Sequence, residues 1–442
     1  MRALCEVFVS PGKPKKKEIM DKVATIILAG GQGTRLYPLT QTRCKPAVCF
    51  GGRYRLIDIP ISNSINAHIQ RIFVISQYFA SSLQQHILET YQLDYFRQSQ
   101  IQMLCPEETP QRKVWFKGTA DAVRQNLEHL EKTNAEYFLI LSGDQLYNMN
   151  FTEMLQFAIK EDADMVIASI PVEEKEAKRM GLLKIDSSCR ALDFFEKPSD
   201  PAVLKKFSLE PSFLKGHHIA HPEAVHYLGS MGIYVFKRKA LFDLMKEKGD
   251  DFGRELIPIQ FKKGKTAAYV YKGYWEDIGT ISSYYEANLA LTQREHCLNT
   301  YDEHNPIFTH PHNLPSPLIR DTVVNRSIIS QGSIIEAKEV SNSVIGIRIN
   351  INKGSVIRDS IILGTLFNEP FLNQEDLMPR HSAVGENCLI EKAILDEHTT
   401  IGNNVQLVNK KNQQKYDGDG IFIRDGIIIV TSGTHVPDNF IL

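Results

Sequence analysis

"TIILAGGQGTRLYPLT", residues 25–40, sets three glycines into four positions directly after an apolar, β-branched run, and then an arginine. A buried strand that ends in open glycine backbone is the place where a ligand can approach main-chain amides. Gly30, Gly31 and Gly33 permit unusual torsions and leave N–H groups free to meet phosphate oxygens. Arg35 strengthens that reading, because a guanidinium binds anionic oxygens bidentately and keeps its charge. The dinucleotide fingerprint fails, since its third glycine would fall on Leu36. A Walker loop fails too, because the only Gly-Lys-Thr (264–266) has Ile259 where its partner glycine should stand.

Working outward, short strand-like runs ("VATIILA", "RIFVIS", "YFLILS", "DMVIASI", "GIYVF") alternate with helical patterns as far as residue 290. In "TADAVRQNLEHLEK", Val123, Leu127 and Leu130 share one helical face, with Thr119 as the expected N-cap and Asp121 in the first turn. Such alternation predicts an α/β layer with a mainly parallel sheet and ligands at the carboxyl ends of its strands.

Near residue 300 the pattern changes. After the proline-punctuated "NPIFTHPHNLPSP", aliphatic residues recur every six positions: Ile345, Ile351, Ile357 and Leu363, then Leu389, Leu395, Ile401 and Leu407. That period fits neither a helix nor one long strand. It fits the sides of a triangular parallel β-helix, with corner glycines at 346, 385 and 402. Residues 366–380 read as a loop inserted between coils. The expected organisation is a tail (1–21), an α/β domain (22–295), a linker (296–315) and a β-helix domain (316–442).

Bulk properties set limits. The chain has 442 residues and a net charge of -1, too long for one small core and without the basic excess of a nucleic-acid binder. No apolar run reaches the roughly 18 residues of a membrane span. Seven cysteines, scattered and without a CxxC pair, suit a reducing compartment. "KPKKK" near the start has no apolar core beside it and reads as a solvated tail, so a cytoplasmic setting is expected.

The stretch "AGGQGTRLYPLTQTRCKPAVCFGGRYRLIDIPISNSINA" (29–67) resembles the signature of the ADP-glucose pyrophosphorylase family, the glucose-1-phosphate adenylyltransferases. "WFKGTADAVRQ" (115–125), "LSGDQLY" (141–147), "FEKP" (195–198), "GSMGIYVF" (229–236), "DDFGRELIP" (250–258) and "YWEDIGTISSYYEANLAL" (274–291) follow in the family's order. The resemblance runs from about residue 22 to the end. It implies a Rossmann-like nucleotide-diphospho-sugar transferase domain followed by a left-handed β-helix.

The implied reaction joins ATP to glucose 1-phosphate, releasing pyrophosphate and ADP-glucose for glycogen or starch synthesis. By resemblance, Arg35 and Lys45 would act on the triphosphate, with Gly30, Gly31, Gly33, Thr34 and Gly118 around the nucleotide. Asp144 and Asp277 would share one Mg²⁺; two carboxylates plus phosphate oxygens make the sparse shell that ion prefers. Lys197 would hold the sugar phosphate, Glu196 the sugar hydroxyls, and Gly181 and Ser230 would complete that pocket. Phe116 departs from a tyrosine in some members.

The family habit also implies a homotetramer activated by a phosphorylated sugar metabolite, while the lack of a convincing transit peptide favours a bacterial cytoplasm over a plastid. Arg43 and Arg424 are the expected effector-binding residues, although Tyr37 and Ser432 stand where some members carry lysines. Three alternatives stay open: another base or sugar, an acetyl-transferring β-helix, and a non-catalytic regulatory subunit. The last is opposed by the presence of all five charged residues, Arg35, Lys45, Asp144, Lys197 and Asp277.

Overall fold

The computed structural model describes residues 19–91, 100–107, 115–186, 189–210, 213–214, 225–365 and 383–442. Most of the expected tail and the inserted loop at 366–380 lie outside these residues. The five strand-like runs are all strands. Val23–Leu28 pairs in parallel with Arg71–Ile75 on one side and Tyr137–Ser142 on the other. Gln100–Leu104 extends the parallel edge. Beyond Tyr137–Ser142, the long strand Tyr227–Lys237 runs antiparallel and carries the rest of a nine-stranded sheet.

Both faces of the sheet are covered, which is why its central strands read as unbroken apolar runs. Successive side chains point to opposite faces. Ile27, Leu139 and Leu141 join one core with Val74 and Phe151. Ile26, Phe138 and Ile140 join the other with Val123 and Phe236. The consequence for function is positional: strand ends at Leu28, Ile75 and Ser142 lie side by side along one edge.

The helix expected after residue 118 departs from its pattern. Thr119–Gln125 and Leu127–Glu131 are two short helices broken at Asn126, whose side-chain amide donates to the Ala122 carbonyl at 2.8 Å. Such local side-chain bonding competes with the helix ladder. Gly118, not Thr119, is the N-cap, and the Thr119 hydroxyl instead accepts from the Phe252 N–H at 3.0 Å.

The C-terminal domain is a parallel β-helix with three ladders. Their inward residues stack as Ile335–Ile351–Val384–Ile401–Val436, Val340–Ile357–Ile390–Leu407 and Ile345–Ile362–Leu395–Val430. The six-residue period slips at two expected positions. Leu389 is half-buried while Ile390 fills the core, and Leu363 packs outward against the α/β domain while Ile362 points in. Corner glycines are needed for close stacking: a Cβ on Gly385 would lie 2.5 Å from the Gly402 carbonyl oxygen.

The two domains share a core. The helix Ile281–Gln293, started by a Thr280–Ser283 capping box, puts Tyr284, Tyr285 and Leu291 in one cluster with Val344, Ile361 and Ile427 of the β-helix. A hairpin not expected from the periodicity, Lys415–Asp417 with Ile421–Arg424, leaves the last coils and places Phe422 edge-on against Tyr37 at 5.6 Å. Among the described residues no helix is long and apolar enough to cross a membrane.

Candidate active site

The strand ends open into a cleft of about 640 Å³. Beside it, Gly33 is left-handed (φ 65°) and starts the single turn Thr34–Leu36, where buried Leu36 anchors a loop that leaves Thr34 and Arg35 exposed. Arg35 lines the cleft, whereas Gly33 and Thr34 do not. Gly30 and Gly31 have no comparable packing reason to be glycine. A Cβ on Gly30 would make ordinary contact with Gln77, and one on Gly31 would meet nothing within 4 Å. Space above this backbone is therefore available to a ligand.

Lys45 opens a second short turn, Lys45–Ala47, and is itself buried. Its ammonium lies 2.5 Å from Asp144 Oδ2 and 3.9 Å from Asp277 Oδ1. Asp144 follows the strand Tyr137–Ser142 by one glycine and accepts from the Ser142 hydroxyl. Asp277 ends the short strand Trp275–Asp277, paired antiparallel with Gln145–Tyr147, so the two carboxylates come from adjoining backbone. A Cβ on Gly279 would make ordinary contact with both Asp277 and the Arg35 guanidinium, so the two side chains flank this glycine.

Burial pushes the Asp144 carboxyl upward, but the Lys45 ammonium and the Ser142 hydroxyl outweigh it and hold it below the ordinary range. Enclosure by the cleft walls and then the Asp144 charge push Asp277 upward. Its side chain keeps 44 % exposure, so solvent offsets part of that push. Next to it, burial and the neighbouring Glu176 and Asp277 carboxylates raise Glu276 to about 7. This wall of the cleft has more carboxylate than Lys45 alone can neutralise.

A second group lies across the cleft. Gly181 faces Glu196 across the Gly181–Ile185 and Ala191–Glu196 pair, and a Cβ there would lie 2.7 Å from Glu196 Oε2. Lys197 holds a left-handed torsion (φ 50°), with its N–H donating to the Met180 carbonyl at 3.1 Å and its ammonium 3.5 Å from Glu196. Ser230, on the long strand, lines the same space. Arg35, Lys45, Asp144, Gly181, Glu196, Lys197, Ser230 and Asp277 thus come together around one cavity.

Gly118 also borders the cavity, yet its lack of a side chain has a packing cause: a Cβ would lie 2.3 Å from the Asp250 carbonyl oxygen. The expected effector pair is not assembled. Arg43 is buried, 3.0 Å from Asp396 and 3.3 Å from Glu397. Arg424 pairs with Asp417 in its own hairpin and lies over the Phe422 ring. With its charge already neutralised inside the protein, Arg43 offers no free guanidinium to a solvent anion.

Several lining residues went unnoticed in the sequence. Gln77 donates to the Gly30 carbonyl (3.1 Å) and accepts from the Phe116 N–H (3.0 Å), tying the glycine loop to the opposite wall. Tyr78 accepts from Gln32 and stacks on exposed Trp115 at 5.4 Å. Gln77 follows "RIFVIS" at a strand's carboxyl end, so the rule that placed the glycine loop could have found it. Asp251 lies within the quoted "DDFGRELIP" without having been singled out, and Arg179 carries no such local signal.

Residues 24–294 match the family model for nucleotidyl transferases, and residues 312–441 match that for the GLGC left-handed parallel beta-helix domain.

Proposed function

The chain belongs to the nucleotidyl transferase family, and on that premise we propose that it transfers the adenylyl group of ATP to glucose 1-phosphate, releasing pyrophosphate. The observation that carries this reading is the triad Lys45–Asp144–Asp277, set beside glycine backbone that nothing else in the fold requires.

The donor set fits Mg²⁺. The Lys45 ammonium, 2.5 Å from Asp144 and 3.9 Å from Asp277, supports a site of negative potential suited to a cation. Among the described residues, no cluster of three or more His, Cys, Asp or Glu is placed to hold a metal unaided. Two carboxylates completed by substrate phosphates and water are the usual protein share of a magnesium shell. Asp144 and Asp277 would hold the ion, which neutralises phosphate charge when bound.

The chain's own residues do the rest. A sugar phosphate is mostly dianionic at neutral pH, its second pKa being about 6, so its oxygen attacks the α-phosphorus without a general base. A new P–O bond forms as the α–β bridging bond breaks, leaving pyrophosphate. Arg35 and Lys45 stabilise charge on that leaving group, and the open amides at Gly30 and Gly31 can add donors. Lys197 and Glu196 hold phosphate and sugar in line, so the rate comes from positioning and electrostatics.

Pyrophosphate release from purified protein, with glucose 1-phosphate, Mg²⁺ and each nucleoside triphosphate in turn, tests the assignment. ATP should be preferred. A preference for another triphosphate would overturn the base, and no release with any would favour a non-catalytic subunit. The cleft itself favours catalysis, since all five charged groups line it.

A further inference from the structure

The Lys45 turn is gripped from both sides. Before it, Arg43 Nη2 lies 3.0 Å from Asp396 and Nη1 3.3 Å from Glu397. After it, the Cys49 thiol donates to Glu397 Oε1 at 2.6 Å. Arg55 Nη2 lies 3.9 Å from the same oxygen, and its Nη1 donates to the Ala47 carbonyl within the Lys45–Ala47 turn. All these groups are buried. Asp396 and Glu397 follow the β-helix strand Ala393–Leu395, whereas the two arginines belong to the α/β domain.

Burying two guanidinium groups and two carboxylates is a poor way to add stability, because desolvation offsets most of the attraction. What such a cluster does secure is geometry, since guanidinium forks and carboxylates pair only over a narrow range of arrangements, although Arg43 Nη1 meets Glu397 as an ion pair without a hydrogen bond. The same region of the β-helix bears on other segments of the cleft. Phe422 touches Tyr37, just past Arg35, and Asp425 accepts from Ser282, just past Asp277.

We propose that Asp396 and Glu397 are positioning residues, a built-in anionic brace that holds the segment Arg43–Arg55 so that Lys45 meets the leaving pyrophosphate. The inference rests on the cleft assignment above. Because both carboxylates belong to the chain, the brace needs no added ligand.

The test uses the full-length protein and pyrophosphate release from ATP and glucose 1-phosphate. Glu397→Gln should lower kcat about tenfold while KM for glucose 1-phosphate stays within about twofold. Glu397→Ala, which leaves a space for a small anion, should regain at least about threefold in rate with formate, while the wild-type rate is unmoved. A folded Glu397→Gln protein with wild-type kcat, or no formate response in Glu397→Ala, overturns the brace. If Glu397→Gln does not fold, Arg43→Lys keeps the charge but loses the fork. It should show the same loss confined to kcat, and wild-type turnover there overturns the proposal. Lys45→Gln, assayed alongside, separates the two claims: normal turnover in that variant would reject the cleft assignment itself.

Discussion

Arg43 and Lys45 stand on either side of Cys44, both buried and both facing carboxylates, yet they belong to different kinds of site. Around Arg43 the charges balance and the walls close: its side chain is 5 % exposed and that of Asp396 is 2 %. Around Lys45 the carboxylates outnumber the ammonium and one side opens to a cleft, with Asp144 at 21 % exposure and Asp277 at 44 %. A closed, charge-balanced ion cluster fixes a chain in place. An unsaturated one, open on one side, has capacity left for a ligand.

The sharpest way to break that contrast is Asp144→Asn, which keeps shape but removes a formal charge from the open cluster. We expect kcat to fall at least about a hundredfold, about 2.7 kcal/mol of barrier, with the melting temperature little changed. Near-normal turnover with Mg²⁺ would mean that the open cluster is structural after all. Lys197→Gln should act on one substrate only, raising KM for glucose 1-phosphate about tenfold and KM for ATP less than about twofold. Equal shifts in both would make Lys197 part of the scaffold.

Smaller effects sharpen the boundary. Gly31→Ala adds a methyl group into space that no protein atom fills. KM for ATP should rise about threefold, with thermal unfolding unchanged; an unaltered KM would remove Gly31 from the nucleotide site. Arg424→Ala removes the pair with half-exposed Asp417, two hydrogen bonds to the Tyr416 and Ile423 carbonyls and the contact with the Phe422 ring, all within one partly exposed hairpin. It should cost under about 1 kcal/mol of stability in a denaturant titration, with wild-type kcat. A clear loss of kcat would bring the hairpin into the working cleft.

Much of this was legible in one dimension because the signals are local. The buried strand before Gly30 and the glycines themselves define a backbone opening over a few residues. Asp144 is marked by its place just past a strand's end. The β-helix period is local too, yet its phase was not. Leu389 and Leu363 keep the six-residue count, but a corner that uses one residue fewer hands the core to Ile390 and Ile362. Likewise, Asn126 interrupts a well-patterned helix because its side chain bonds back to Ala122. The glycine at 118 looked like room for a ligand, and only the nearby Asp250 carbonyl reveals that it is room for the protein's own backbone.

The amino-acid sequence by itself determined the glycine opening after the first strand and the repeat of the second domain, since backbone permissiveness and short-range periodicity are written in neighbouring residues. Lys45, Lys197 and Asp277, by contrast, were singled out only through the family resemblance. Only the tertiary structure decided which cations remain free to meet a ligand. Arg43 reads in the chain as an exposed cation in the same segment as Lys45. Its partner Asp396 lies 353 residues further on, at the end of a strand in the other domain. No local pattern encodes that meeting. It arises because the β-helix docks through the helix Ile281–Gln293, and the burial that docking imposes is what turns a soluble charge into a fixed part of the frame.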